Sequence, residues 1–172
     1  MEPNQTANNP APAAAQDPQP SFGIEKLYVK DLSVEVPNAP NIFLEQGAPQ
    51  IDIQLTTQAT PLGEGVFNVV LTVTVTAKRD EKTVFLVEVG QAGIFRIAHV
   101  PEQEIEPLLA VACPNILQSY AREVISSAST QAGFPPVLLQ PINFEALYFS
   151  RLQEQRAAAT PAEAGAGTAT VQ

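Results

Sequence analysis

From residue 66 to residue 77 the chain alternates without a break. Phe67, Val69, Leu71, Val73 and Val75 fall on one side, and Asn68, Val70, Thr72, Thr74 and Thr76 on the other. A period of two over so long a run, rich in β-branched side chains, fits a pleated strand and not a helix. Such a strand needs partners. Leu32, Val34 and Val36 alternate with Asp31, Ser33 and Glu35 in a run over about 22–36. Ile51, Ile53 and Leu55 alternate with Asp52, Gln54 and Thr56 over 50–57. In a fourth run Phe85, Val87 and Val89 face inward and Val84, Leu86 and Glu88 outward. Gly90 and Gly93 interrupt it and suggest a bulge or bend before Ile94, Phe95 and Ile97.

The connections order these strands. Residues 61–65, with Pro61, Gly63 and Gly65, read as a turn, and the charged residues 78–82 as a hairpin connection. Pro37 and Pro40 end the first strand, and a long crossover carries Ile42, Phe43 and Leu44 to Gly47 and Pro49. Three consecutive antiparallel strands plus an earlier one on a long connection predict a Greek key, with the first strand beside the fourth.

After residue 100 the period changes. Ile105, Leu108, Leu109 and Ala112 predict a short helix, started late or bent by Pro107. A second helix is expected to begin near Cys113 and Pro114, since proline suits the first helical turn. Leu117, Ala121, Val124 and Ala128 form its stripe, and Gly133 stops it. Residues 134–141 contain three prolines and read as an apolar extended segment. Asn143 is expected to cap a last helix with a stripe of Phe144, Leu147, Tyr148 and Leu152. The stripes need a sheet to cover, which gives an α+β fold with helices on one face.

Both ends differ from this body. Residues 1–20 are rich in Pro, Ala, Asn and Gln, and 157–172 in Ala, Gly and Thr; neither shows apolar periodicity, so both are expected to be disordered tails flanking one domain at 21–156. The whole chain carries a net charge of −9, and the body keeps 15 acidic residues against 9 basic ones. That balance argues against nucleic acid and anionic membrane surfaces, and favours a basic protein segment as partner. The N-terminus lacks a charged-then-apolar leader, no apolar run suits a bilayer, and one cysteine forms no intrachain disulfide. A cytoplasmic protein without membrane insertion is expected.

Little suggests catalysis. His99 and Cys113 are each the sole residue of their kind, and Cys113 at a helix start would favour a thiolate, but no third residue orients such a pair. They are too few for a zinc site. Glu102, Glu104 and Glu106 read as a solvated acidic helix start, and the Gly90–Gly93 stretch lacks the ending of a phosphate loop. The reading is no enzyme, no metal and no cofactor. More unusual are greasy loops, at Ile42-Phe43-Leu44 and at 134–139; apolar loops imply a subunit interface or a binding surface.

Several dispersed motifs occur in order: Tyr28-Val29-Lys30-Asp31-Leu32-Ser33, Pro37-Asn38-Ala39-Pro40, the run from Phe85 through Gly90-Gln91-Ala92-Gly93 to Phe95, Cys113-Pro114-Asn115-Ile116-Leu117 with Tyr120-Ala121-Arg122-Glu123, Gly133-Phe134-Pro135, and Asn143-Phe144 before Ala146-Leu147. Together they resemble the SecB family of protein-export chaperones over about 22–155. The resemblance implies a homotetramer, a dimer of dimers with paired four-stranded sheets outside and helices between. It implies an ATP-independent holdase that binds non-native precursor polypeptides in apolar grooves and delivers them to the SecA motor ATPase. By correspondence, Phe43, Ile53, Phe85 and Tyr120 line the aromatic part of the groove, and Asp31, Glu35, Leu86 and Glu88 form the SecA-binding patch. Val87 and Leu109 stand where relatives often carry cysteine, and the tails differ, which leaves tail contacts with SecA open. Two other readings compete: a SecB-like chaperone tied to a toxin–antitoxin pair, and a carrier of small hydrophobic ligands.

Overall fold

A computed structural model describes residues 19–159. Four antiparallel strands, β1 (Ser21–Glu35), β2 (Gln50–Gly63), β3 (Val66–Arg79) and β4 (Lys82–Ala98), form one sheet in the order β1-β4-β3-β2. The first strand returns beside the fourth, as the long crossover requires. Valines 69, 73, 75, 87 and 89 and Leu71 are sealed from solvent on one face. The helices cover that face: α1 (Glu102–Pro107), a π-helical segment (Leu108–Ala112), α2 (Cys113–Gln131) and α3 (Phe144–Ala159). Leu117, Ala121, Ile125 and Ala128 of α2 pack into the sheet. Ile125, not Val124, takes the central place on the stripe, and Val124 is only partly buried.

Four local expectations are corrected. β2 runs on through Pro61 to Gly63, because β2 is an edge strand and a missing N–H there is tolerated. The turn shrinks to Glu64 and Gly65. Val84 is buried, not outward: Ala77 pairs with Phe85 and Lys78 with Thr83, so Val84 is an extra residue at a bulge and joins the core. The Gly90–Gly93 stretch does not interrupt β4. The irregularities lie in its partner β1, between Ile24 and Lys26 and between Val29 and Asp31. Glycine at 93 answers a steric need, since a β-carbon there would stand 2.7 Å from the Phe95 ring. Finally, α1, the π segment and α2 join without a break, so Cys113 lies inside a helix and not at its start. Cys113 N–H donates to Leu108 O, a five-residue step. Prolines 107 and 114 remove two backbone donors on either side, and the wider turn between them accommodates the loss without ending the helix.

The expected tails fall outside the described residues, except at their inner ends. There α3 continues through Ala157–Ala159, as three strong helix formers in succession favour. Asn143 caps α3 as expected, with Ala146 N–H donating to Asn143 Oδ1 at 2.9 Å.

Candidate functional site

The end of α2 builds the aromatic part of the site. Gly133 adopts φ +90°, Gly133 N–H donates to Thr130 O, and Phe134 N–H donates to Ser129 O. This is a Schellman turn, which needs a left-handed residue after the helix and brings the next side chain back over the last turn. The side chain brought back is Phe134. Its ring stacks on Phe85 of β4 at 4.7 Å between centroids and on Phe43 of the crossover at 5.2 Å. Phe85 is thereby sealed, at 2% exposure, whereas Phe43 on the outside of the stack remains 50% exposed. Beyond the turn, residues 135–143 run along α2: Val137 N–H donates to Ser129 Oγ, and Gln118 Nε2 donates to Gln140 O.

An apolar row continues from this end along β2. Residues opposite one another across a ladder share a face, so Ile51 lies with Ala77 and Phe85, and Ile53 with Val75 and Val87. Both isoleucines are exposed, on the edge strand of the sheet. Next along the same row, Leu55, Thr57 and Ala59 form one wall of a hollow of about 670 Å³. Phe67, Leu109, Phe144 and Leu147 are also in its lining, with Glu102, Glu106 and Arg151 as polar members.

Of the four groove residues expected from sequence, Phe43 and Phe85 meet through Phe134. Ile53 lies on the row leading to the hollow. Tyr120 stands exposed on α2, outside both the ring stack and the hollow's lining. Phe134 and the hollow were absent from that set. Phe134 had a local signal, an aromatic directly after a helix-stopping glycine. The hollow had none, since its wall comes from β2, β3, α1, the π segment and α3 at once.

The opposite face of the sheet carries the second set. Glu35 pairs with Leu86, Ser33 with Glu88 and Asp31 with Gly90, so Asp31, Glu35, Leu86 and Glu88 form one patch on the helix-free side of β1 and β4. The sequence offered these carboxylates no obvious local partners, but one has a partner: Thr74 Oγ1 donates to Glu88 Oε2 at 2.8 Å. Lys30, the extra residue of the β1 bulge, shares a shallow hollow with Asp31 and Glu88 and places one positive charge in the patch.

Cys113 is fully buried, and burial pushes its thiol up to about 12. It is therefore a thiol at neutral pH and a poor nucleophile. Among the described residues no group of three His, Cys, Asp or Glu side chains is placed to hold a metal ion, and no helix is long and apolar enough to cross a membrane.

Residues 15–155 match the family described as preprotein translocase subunit SecB. The protein-export protein SecB of Dechloromonas aromatica is 69% identical over 148 residues, covering 86% of this chain and 96% of that protein. That of Neisseria meningitidis serogroup C is 57% identical over 146 residues, covering 84% and 99%. Among solved structures, a SecB-like chaperone of Mycobacterium tuberculosis in complex with a peptide from the HigA1 antitoxin aligns with a TM-score of 0.55 at 19% identity, covering 70% of this chain and 90% of that one. With the sheet order, the helical layer and these matches together, the chain belongs to the SecB family of protein-export chaperones.

Proposed function

We propose that this chain is an ATP-independent holdase that binds non-native precursors of secreted proteins and delivers them to the SecA motor ATPase, as a cytoplasmic homotetramer arranged as a dimer of dimers. One observation carries the binding half of this reading. A row of exposed apolar side chains on the inner face of β2 links the Phe43–Phe134 stack to the hollow beneath α3. An extended client segment lying along such a row meets apolar side chains at alternate positions beside an open strand edge. Both features bind many sequences without selecting one. The exposed aromatic supplies contact area, and no ATP is needed for a surface that is already formed.

The test is titration with an unfolded precursor. Phe43→Ala and Tyr120→Ala are expected to weaken client binding while the protein stays folded. Phe85→Ala is expected to act on stability first, by about 3–5 kcal/mol, as for truncation of a buried phenylalanine. Unchanged client affinity in a folded Phe43→Ala protein overturns the groove assignment.

The hollow also fits the size range of small-ligand sites, so a hydrophobic-ligand carrier is the second reading. Competition decides between them: a client that displaces an apolar dye from the whole row supports the groove, and a dye that binds unaffected by client supports the carrier. The antitoxin-associated reading draws on a relative only 19% identical, against 57–69% for the export proteins.

A further inference from the structure

The crossover that carries Phe43 is held at both arms by the β3–β4 hairpin. In the first arm Asn38 Nδ2 donates to Thr83 O at 2.8 Å. In the second, Arg79 donates to Gly47 O through Nε at 3.1 Å and Nη2 at 2.7 Å, and Lys82 Nζ donates to Glu45 Oε1 at 2.7 Å. Arg79 Nη1 is buried, lacks a hydrogen-bond partner and faces Glu45 Oε2 at 3.5 Å. In the middle Ile42 is buried in the core. Between Ile42 and these clasped residues stand only Phe43 and Leu44, and Leu44 is 84% exposed. Phe43 lies in a short 3-10 turn (Asn41–Leu44) and its N–H donates to Pro40 O at 3.2 Å, while its ring rests on the Phe134 ring and against Gly133.

We propose that Arg79, Lys82 and Glu45 form a latch that keeps Phe43 stacked over Phe134, so that the end of the groove stays closed until a client enters between the two rings, after which Phe43 packs on the client as its outer wall. The inference rests on the groove reading above. Its physical content is competition. Phe134 covers Phe85, and Phe43 covers the outer side of Phe134, so a client side chain reaches that ring only when the crossover shifts. The second arm is the half able to release, because its ties come from side chains, whereas the first arm is also held by backbone bonds from Ala39 N–H to Val36 O and from Ile42 N–H to Asn38 O, and Ile42 stays anchored. Arg79 is then a positioning residue: it touches no client and sets how often Phe43 leaves. A contact of two charge-assisted bonds is of the size that shifts such an equilibrium about tenfold when removed.

The chain contains no tryptophan, so Phe43→Trp places a single fluorophore on the crossover of the full-length protein. In that background Arg79→Gln and Glu45→Gln are expected to raise quenching of the introduced indole by a neutral quencher and to speed association of an unfolded precursor about tenfold for Arg79 and less for Glu45. Arg79→Lys, which keeps a positive charge able to reach Gly47 O and Glu45, is expected to hold association nearer the slow rate than Arg79→Gln does, which a merely weakened fold would not do. Circular dichroism confirms that each variant is folded, and Glu45→Gln, on a partly exposed side chain, serves if Arg79→Gln is not. Unchanged indole quenching in both single variants overturns the latch and leaves the groove reading standing. Raised quenching with unaltered client association overturns the proposal through the groove reading instead.

Discussion

At Gly133 the backbone turns left-handed, and a methyl group added there would also stand 3.2 Å from the Phe43 ring. Both effects act against Gly133→Ala. The substitution is expected to cost about 1–2 kcal/mol from the left-handed conformation, read as a lower urea midpoint, and to loosen the Phe43–Phe134 stack. Cys113 gives a second residue-scale prediction. Its folded thiol titrates near 12 rather than at its ordinary 9, because burial disfavours the thiolate. The folded state therefore holds its proton where the unfolded state releases one. The associated stability is fully present below about pH 9 and is lost as pH rises from there toward 12. At pH 8, alkylation of Cys113 is expected to follow unfolding; modification at the rate of a free thiol in the folded protein would contradict its burial. Burial at 113 was a fair expectation for a free cysteine. Its place inside a continuous helix was not legible, because proline at 114 is equally a start signal and a defect that a π turn absorbs.

Individual elements were legible where one face was wet and the other dry. β3 was the plainest, and the alternation of β1 and β4 alone placed Asp31, Glu35, Leu86 and Glu88 outward. The ladder adds which of them are neighbours: Glu35 beside Leu86, and Glu88 beside Ser33. What stayed hidden were bulges, since one extra residue at Val84 or Lys30 leaves no mark in an alternating pattern, yet Lys30 changes the charge of the patch. If this patch meets SecA, Glu35→Lys and Glu88→Lys are expected to spare client binding and lower SecA affinity. The loss should shrink as salt rises, because exposed charges are screened. Calorimetry at two ionic strengths measures both. Glu88→Lys should show the larger effect, since it also breaks the bond from Thr74. Wild-type affinity in both variants would leave the patch an ordinary solvated face.

At the scale of the molecule, the single chain leaves many large apolar side chains exposed. Both sheet edges, β1 and β2, are open. On β1, Phe22, Ile24, Val29, Leu32 and Val34 are all exposed, although Leu32 and Val34 pair with the sealed Val89 and Val87 and share their face. Exposed edges that carry apolar side chains invite pairing with another chain, and stable proteins cover or charge them. Here β1 carries charge on its outer face, at Asp31 and Glu35, and none at Leu32 or Val34. The side left apolar is the one toward the helices, so a second copy is expected to cover that side while the outer face stays wet. The two edges are unlike, since β2 supplies Leu55, Thr57 and Ala59 to the lining of the hollow and β1 supplies none of it. Assigning β1 to assembly and β2 to clients keeps both functions on one sheet. Light scattering at micromolar concentration is expected to give the mass of four chains. Val34→Lys, a charge on the apolar side of the β1 edge, is expected to reduce that mass with the far-ultraviolet dichroism of the fold retained, whereas Ile53→Lys on β2 should leave the mass unchanged and weaken client binding. A monomer in the wild type, or loss of assembly from Ile53→Lys instead of Val34→Lys, would overturn this division of the two edges.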